Sequence, residues 1–166
     1  MIKAFLIAAV SADGFIAQDA QQSSFKWTSP EDKKRFIELT KRAGVVVMGS
    51  TTYATLPHPL KDRVNIVYSH SKTFEGAEST QKSPEELLKE LESRGFKEAA
   101  LCGGSHIYSM FMDAGLVDRI YLTIEPVLFG KGITLFNGPL TCRLKLENSS
   151  TTPTGTVLLE YSVIHT

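Results

Sequence analysis

The chain has 166 residues, 42% of them hydrophobic and 22% charged, enough to bury one proper core; a single domain over residues 1–166 is expected. Its 18 basic residues cancel its 18 acidic ones, so composition gives no ground for a nucleic-acid partner. Two cysteines, Cys102 and Cys142, and four scattered histidines fit neither a disulfide framework nor a zinc site, and no metal is expected.

Ile2 to Val10 is a nearly continuous apolar run, the pattern of a strand covered on both faces. Its apolar stretch is too short to span a bilayer and has no small-residue cleavage site, so no membrane partner and a cytoplasmic location are expected. Ser11-Ala12-Asp13-Gly14 turns out of the strand, and Phe15-Ile16-Ala17 returns to apolar territory. Gln18 to Ser24 is polar and aperiodic, a loop placed where a lid would stand. A helix starts at Pro30 behind the cap Ser29 and ends near Gly44. Val45 to Met48 then reads as a second buried strand, which makes a β-α-β unit.

Gly49-Ser50-Thr51-Thr52-Tyr53 opens a short helix that Pro57-His58-Pro59 stops. That glycine and its hydroxyl neighbours are either a plain cap or a seat for an anion on free N–H groups. Val64 to Tyr68 is a third strand, and Ser83-Pro84-Glu85-Glu86 is a capping box that launches a helix to Gly95. Glu98 to Cys102 is a fourth strand. Gly103-Gly104-Ser105-His106 leads from it into a helix over 107–114, either as a tight turn or as a close backbone approach to a phosphate. Val117 to Glu125 alternates as a long strand, and 126–133 is a glycine-containing loop. Cys142–Leu146 and Thr156–Ile164 form a terminal antiparallel pair across the polar turn 148–155. The fold class predicted is α/β, with a twisted, mixed and mostly parallel sheet, flanking helices and a C-terminal antiparallel hairpin.

The chemistry is placed between Phe25 and Thr40. Ser29 followed by Asp32 is a capping box with aspartate in the glutamate position, which makes Asp32 a solvated helix-starting carboxylate. Helical spacing gives the competing reading: Asp32, Phe36, Leu39, Thr40 and Ala43 share one face, so the aspartate heads the apolar stripe. A carboxylate there needs a partner or a job, and Trp27, the only tryptophan, stands where it could wall a site.

With these pieces in order the chain resembles the dihydrofolate reductase superfamily, which also includes the reductase domain of the riboflavin pathway. The likeness is carried by Ile7-Ala8-Ala9, by Trp27-x-x-Pro30-x-Asp32 with Phe36, and by Val47-Met48-Gly49 with Thr52-Tyr53. Gly103-Gly104 with Tyr108 and Tyr121-Leu122-Thr123 complete it. The resemblance implies NADPH-dependent reduction of 7,8-dihydrofolate to tetrahydrofolate, in a monomer or homodimer, with Asp32, Trp27 and Thr123 as the catalytic set. It implies substrate contacts from Ala9, Phe36, Leu56, Arg63 and Tyr108, with Arg63 gripping the glutamate tail of folate. It assigns to the cofactor Ala9, Ile16, the Gly49-Ser50-Thr51-Thr52 turn, Ser69 and His70, and the run Cys102-Gly103-Gly104-Ser105-His106-Ile107-Tyr108. The low-dielectric surroundings of Phe36 and Leu56 should raise the pKa of Asp32.

Some positions depart from that pattern. Ser50 and His106 stand where arginines often hold the 2′-phosphate of NADPH, which leaves hydroxyls, backbone N–H groups, His70, His106 and Lys72 for that task. Ser11-x-Asp13-Gly14-x-Ile16-Ala17 is similar to the riboflavin-pathway branch, whose sugar-phosphate substrate Lys33, Lys34 and Arg35 could hold. A non-catalytic pterin- or nucleotide-binding module is the third alternative.

Overall fold

The apolar runs of the sequence become the middle of one eight-stranded sheet in the computed structural model, which describes residues 1–166. In chain order the elements are β1 (Lys3–Ser11), β2 (Phe15–Ala17), α1 (Pro30–Ala43), β3 (Val45–Gly49), α2 (Ser50–Ala54), β4 (Val64–Tyr68) and β5 (Glu78–Thr80). They continue with α3 (Pro84–Ser93), β6 (Glu98–Leu101), α4 (Ser105–Asp113), β7 (Arg119–Glu125), β8 (Ile133–Thr134), β9 (Arg143–Thr151) and β10 (Val157–Ile164). The sheet runs β5-β4-β3-β6-β1-β7-β10-β9. Its first six strands are mutually parallel, and β10 and β9 close it as an antiparallel edge. No helix is long and apolar enough to cross a membrane.

Alternation sends successive side chains to opposite faces, and each face has its own core. Ala4, Leu6 and Ala8 of β1 join Val45 and Val47 of β3 under α3 and α4, where Leu87, Leu91 and Phe111 are fully buried. Phe5, Ile7, Val46 and Met48 face the other way, toward Ala43, Phe36 and Leu39 of α1. Both long capped helices start at Ser-Pro, and both serine hydroxyls accept the N–H three residues on. Gly44 ends α1 in the left-handed conformation, at φ +78°, which a residue with a Cβ adopts only at a cost.

Three features differ from the sequence reading. Strand β9 continues through Asn148-Ser149-Ser150-Thr151, which the polar pattern assigns to a turn; the true turn is 152–156. All nine β9 residues are exposed, so no buried face imposes an alternation to read. The short strand β5 extends the sheet edge, and β2 pairs with β8 in a separate two-stranded ribbon inside a segment read as loop. Pairs this short are set by distant partners rather than by local pattern. In 18–24, Gln18 and Gln22 bond to each other, and the chain then enters a 3₁₀ turn at Ser24–Lys26.

The ribbon depends on one glycine. A Cβ at Gly132 would collide with the carbonyl oxygen of Ala17 in β2, a backbone atom that cannot swing away. Gly132→Ala should therefore push β8 off β2 and lower stability by about 1–3 kcal/mol, read as a reduced urea midpoint. A midpoint equal to wild type would mean that the ribbon yields freely.

Candidate active site

The parallel strands deliver their carboxyl ends to one edge of the sheet, and a cavity of about 1140 Å³ lies there. Ligand sites of open α/β sheets form at such an edge. Gly49 ends β3, Tyr68 ends β4, and Cys102 follows β6; all three border the cavity with Ala9 of β1. The Gly49 N–H donates to the Gly103 carbonyl at 2.8 Å, which holds the two strand-to-helix turns side by side.

These two turns differ from the other helix starts. Helices α1 and α3 have serine caps, whereas α2 and α4 begin at Gly49 and Gly104 with no side-chain acceptor for their first N–H groups. Both uncapped ends border the cavity through Ser50, Thr51, Ser105 and His106. Unsatisfied N–H groups at the positive end of a helix suit an anion. Gly103 has φ +106°, and a Cβ there would press on the Tyr108 ring at 3.1 Å from its hydroxyl oxygen. Tyr108 is fixed beneath this turn by donating its hydroxyl to the Ile7 carbonyl at 2.6 Å. Past the end of β4 the wall becomes basic and polar, with Ser69, His70, Lys72 and Lys82.

At the opposite end the wall belongs to α1. Asp32 and Phe36 line it, with Phe25 edge-on to Phe36 at 5.6 Å. Asp32 is 9% exposed, and burial pushes its pKa up. A hydrogen-bonding contact with Thr123 pulls it down, the negative charge of Glu125 raises it, and the cations of Arg35 and Lys33 oppose that. The capping box read from sequence is only half formed. Ser29 Oγ accepts the Asp32 N–H at 3.2 Å, but the Ser29 N–H donates to Glu125 Oε1 at 3.1 Å rather than to Asp32. In α3 the corresponding N–H of Ser83 donates to Glu86, so both halves are present there. Asp32 is thus left free of capping, with its carboxylate at the cavity.

Every residue that the resemblance assigns to the cofactor borders the cavity, as do Ala9, Asp32, Phe36 and Tyr108. Four others stand back from it. Trp27 does not wall the site: its ring lies edge-on to Phe129 at 5.0 Å, and Phe25 takes the wall. Leu56 packs into the second core, and its neighbour Thr55 borders the cavity instead. Thr123, 1% exposed, stands behind Asp32 on β7. Arg63 donates from Nη1 to Thr40 Oγ1 at 2.9 Å and from Nε to the Lys61 carbonyl at 2.7 Å, away from the lining. Lys33, Lys34 and Arg35 do not line the cavity either. Arg35 donates to the carbonyls of Leu122 and Leu159 and lies over the Tyr121 ring. Glu125 was not picked out from sequence. It follows Thr123 by two residues, so the period of a strand already places both on the face that meets α1.

Residues 3–136 match the family model described as dihydrofolate reductase. The chain is 31% identical over 123 residues to the type 3 dihydrofolate reductase of Salmonella typhimurium, a match covering 71% of this chain and 68% of that one. It is 30% identical over 94 residues to the bifunctional dihydrofolate reductase-thymidylate synthase of Plasmodium vinckei, covering 51% of this chain and about half, 52%, of the relative. In structure it is similar to RibD of Acinetobacter baumannii, with a TM-score of 0.84 at 16% identity, over 99% of this chain and 59% of that one.

The burial of Asp32 makes a prediction about stability. An acid whose folded pKa is raised contributes stability that is full below its unfolded pKa, about 3.9, and lost as pH rises through the folded value. Asp32→Asn cannot ionise and escapes that loss. The melting temperature of the variant relative to wild type should therefore rise as pH increases from about 4 and level off once the pH has passed the raised midpoint of Asp32. A difference independent of pH would show that the carboxylate carries no desolvation cost.

Proposed function

The chain belongs to the dihydrofolate reductase family, and on that premise we propose that it reduces 7,8-dihydrofolate to tetrahydrofolate with NADPH. The observation that carries this reading is Asp32: a buried carboxylate at the cavity wall, released from capping and backed by Thr123. A carboxylate accepts two N–H donors side by side, which matches the amino-pyrimidine edge of a pterin. Desolvation moves its pKa toward the working range of a proton donor, so it can hold the substrate and assist protonation of the ring. Phe25 and Phe36 offer the ring an apolar wall and help to keep water from the reacting atoms.

The uncapped starts of α2 and α4 fit the diphosphate of a dinucleotide, with Gly103 and Gly104 allowing close backbone approach. NADPH, when bound, supplies the hydride. Lys72, His70 and Lys82 at the basic end of the cavity, with the Ser69 and Ser50 hydroxyls, are the groups that would hold its 2′-phosphate. Lys82 also pairs with Glu90, so Lys72 is the less encumbered cation.

The test is the fall in NADPH absorbance when purified protein meets dihydrofolate. In that assay Asp32→Asn should lower kcat by ~10² or more while the fold persists. A variant turning over at the wild-type rate would remove Asp32 from the chemistry.

Arg63 bears on which substrate the site takes. Thr40 Oγ1, which accepts from Arg63, itself donates to the Phe36 carbonyl, so the guanidinium is anchored one helical turn from the cavity wall. That leaves Nη2 to meet a carboxylate beyond the rim, as the tail of folate would require. Arg63→Lys should raise KM for dihydrofolate by on the order of 1–3 kcal/mol in binding and leave reduction of a tailless dihydropterin unchanged. Equal losses on both substrates would mean that the arginine supports only the fold.

A second reading, reduction of the ribosylaminouracil phosphate of riboflavin synthesis, has the Ser11-Asp13-Gly14 turn in its favour. Asp13 there accepts the Phe129 and Gly130 N–H groups and the Ser11 hydroxyl, tying the turn to the loop beside Trp27. The basic trio Lys33, Lys34 and Arg35 stands off the cavity, which weakens it.

A further inference from the structure

Glu125 is a buried carboxylate for which the proposed chemistry has no use. It is 3% exposed and does not border the cavity. Its Oε1 accepts from the Ser29 N–H at 3.1 Å and the Ser29 hydroxyl at 2.8 Å, and its Oε2 accepts from the Thr156 hydroxyl at 3.0 Å. No cation lies within ion-pair distance, so three neutral donors are all that offset the cost of burying it.

The position of those donors gives Glu125 a role. A capping box normally directs the carboxylate three residues into the helix back to the cap N–H. At α3 Glu86 does this for Ser83 at 2.9 Å. At α1 the equivalent residue is Asp32, and its place is taken by a carboxylate from β7. Ser29 gives its hydroxyl proton to the same oxygen, which turns its own lone pair toward the Asp32 N–H. We propose that Glu125 is a positioning residue: by taking both donors of Ser29 it substitutes for Asp32 in the cap and holds that aspartate at the cavity wall beside Thr123.

The proposal rests on the reading of Asp32 as the acid of a pterin site. The groups facing Asp32 are Glu125 and Thr123 from β7, Arg35 and Lys33 from α1, and Tyr108 from α4. Without the acceptor at position 125, the Ser29 N–H recaptures Asp32. A carboxylate accepting an N–H is stabilised in its charged form, and the like charge behind it is gone as well. Both effects lower the Asp32 midpoint.

The test is a carbon-13 NMR titration of the Asp32 carboxyl in the full chain without ligand, the signal identified by its loss in Asp32→Asn. Glu125→Leu keeps the volume and removes the acceptor. Its Asp32 proton affinity should fall on the order of tenfold. Glu125→Gln keeps an acceptor oxygen for Ser29 and should recover most of the effect, leaving only the share due to charge. If the leucine variant does not fold, Glu125→Asp, one methylene short of Ser29, decides with a smaller shift in the same direction. In the NADPH assay Glu125→Leu should lower kcat roughly tenfold and leave KM for NADPH unchanged. An Asp32 midpoint equal to wild type in the variants that fold overturns the proposal and reduces Glu125 to a support of the hairpin. Failure of the wild type to reduce dihydrofolate would sink the functional reading alone, because the titration still reports on Glu125.

Discussion

The bond from the Ser29 N–H to Glu125 decides what Asp32 is. With the usual local partner, Asp32 would be a surface cap; with a partner from a strand 96 residues away it is a buried acid. The exchange needs α1 docked on β7, and that docking needs the two-faced sheet. Tyr121, Thr123 and Glu125 point to the α1 side of β7, while Ile120 and Leu122 point to the other core. Arg35 reinforces the contact by bonding to carbonyls on both β7 and β10. The buried carboxylate is thus held between the cap of α1 and the residue that precedes β10, and a slip of one residue in β7 would reverse these contacts.

At the other end of the cavity the dependence is on backbone rather than charge. The hydrogen bond between Gly49 and Gly103 brings two strand exits together, and each exit starts a helix that has no side-chain cap. Serine hydroxyls cap α1 and α3, with Glu125 completing the cap of α1 from β7, whereas the glycine caps on α2 and α4 leave N–H groups with no side-chain acceptor. The helix starts therefore divide by where their first N–H groups go: to serine hydroxyls at α1 and α3, and to no side chain at α2 and α4.

Much of this was legible in the sequence because its signals are local. Ser-Pro starts, the Gly44 stop and the runs of valine and alanine each fix an element from within a few residues, and the face shared by Asp32, Phe36 and Thr40 follows from helical period alone. The losses came where a distant residue decides. Trp27 turns away from the cavity because Phe129 lies behind it, and β5, β8 and the outer half of β9 exist only through pairing. Glu125 shows the limit best. Its position two residues beyond Thr123 placed it on the right face, but nothing near it in sequence announces that it finishes the cap of a helix on the far side of the chain.

The charges of the cavity are segregated, and this bears on how two ligands would share it. Its α1 end holds Asp32 with Glu125 behind it, and Arg35, which faces Asp32, is turned to two carbonyls and the Tyr121 ring rather than to the cavity. Its other end holds Lys72, Lys82 and His70 beside the uncapped helix starts. A phosphate placed against Asp32 would meet that carboxylate in a low-dielectric wall, with the negative charge of Glu125 behind it, where repulsion is strong. At the basic end it meets cations and unsatisfied N–H groups. A ring bearing N–H donors has the opposite preference. On the proposed function the anionic ligand would sit at the β4 end and the donor-bearing ring at α1, and they would meet in the middle of the cavity, over Ala9 and Tyr108.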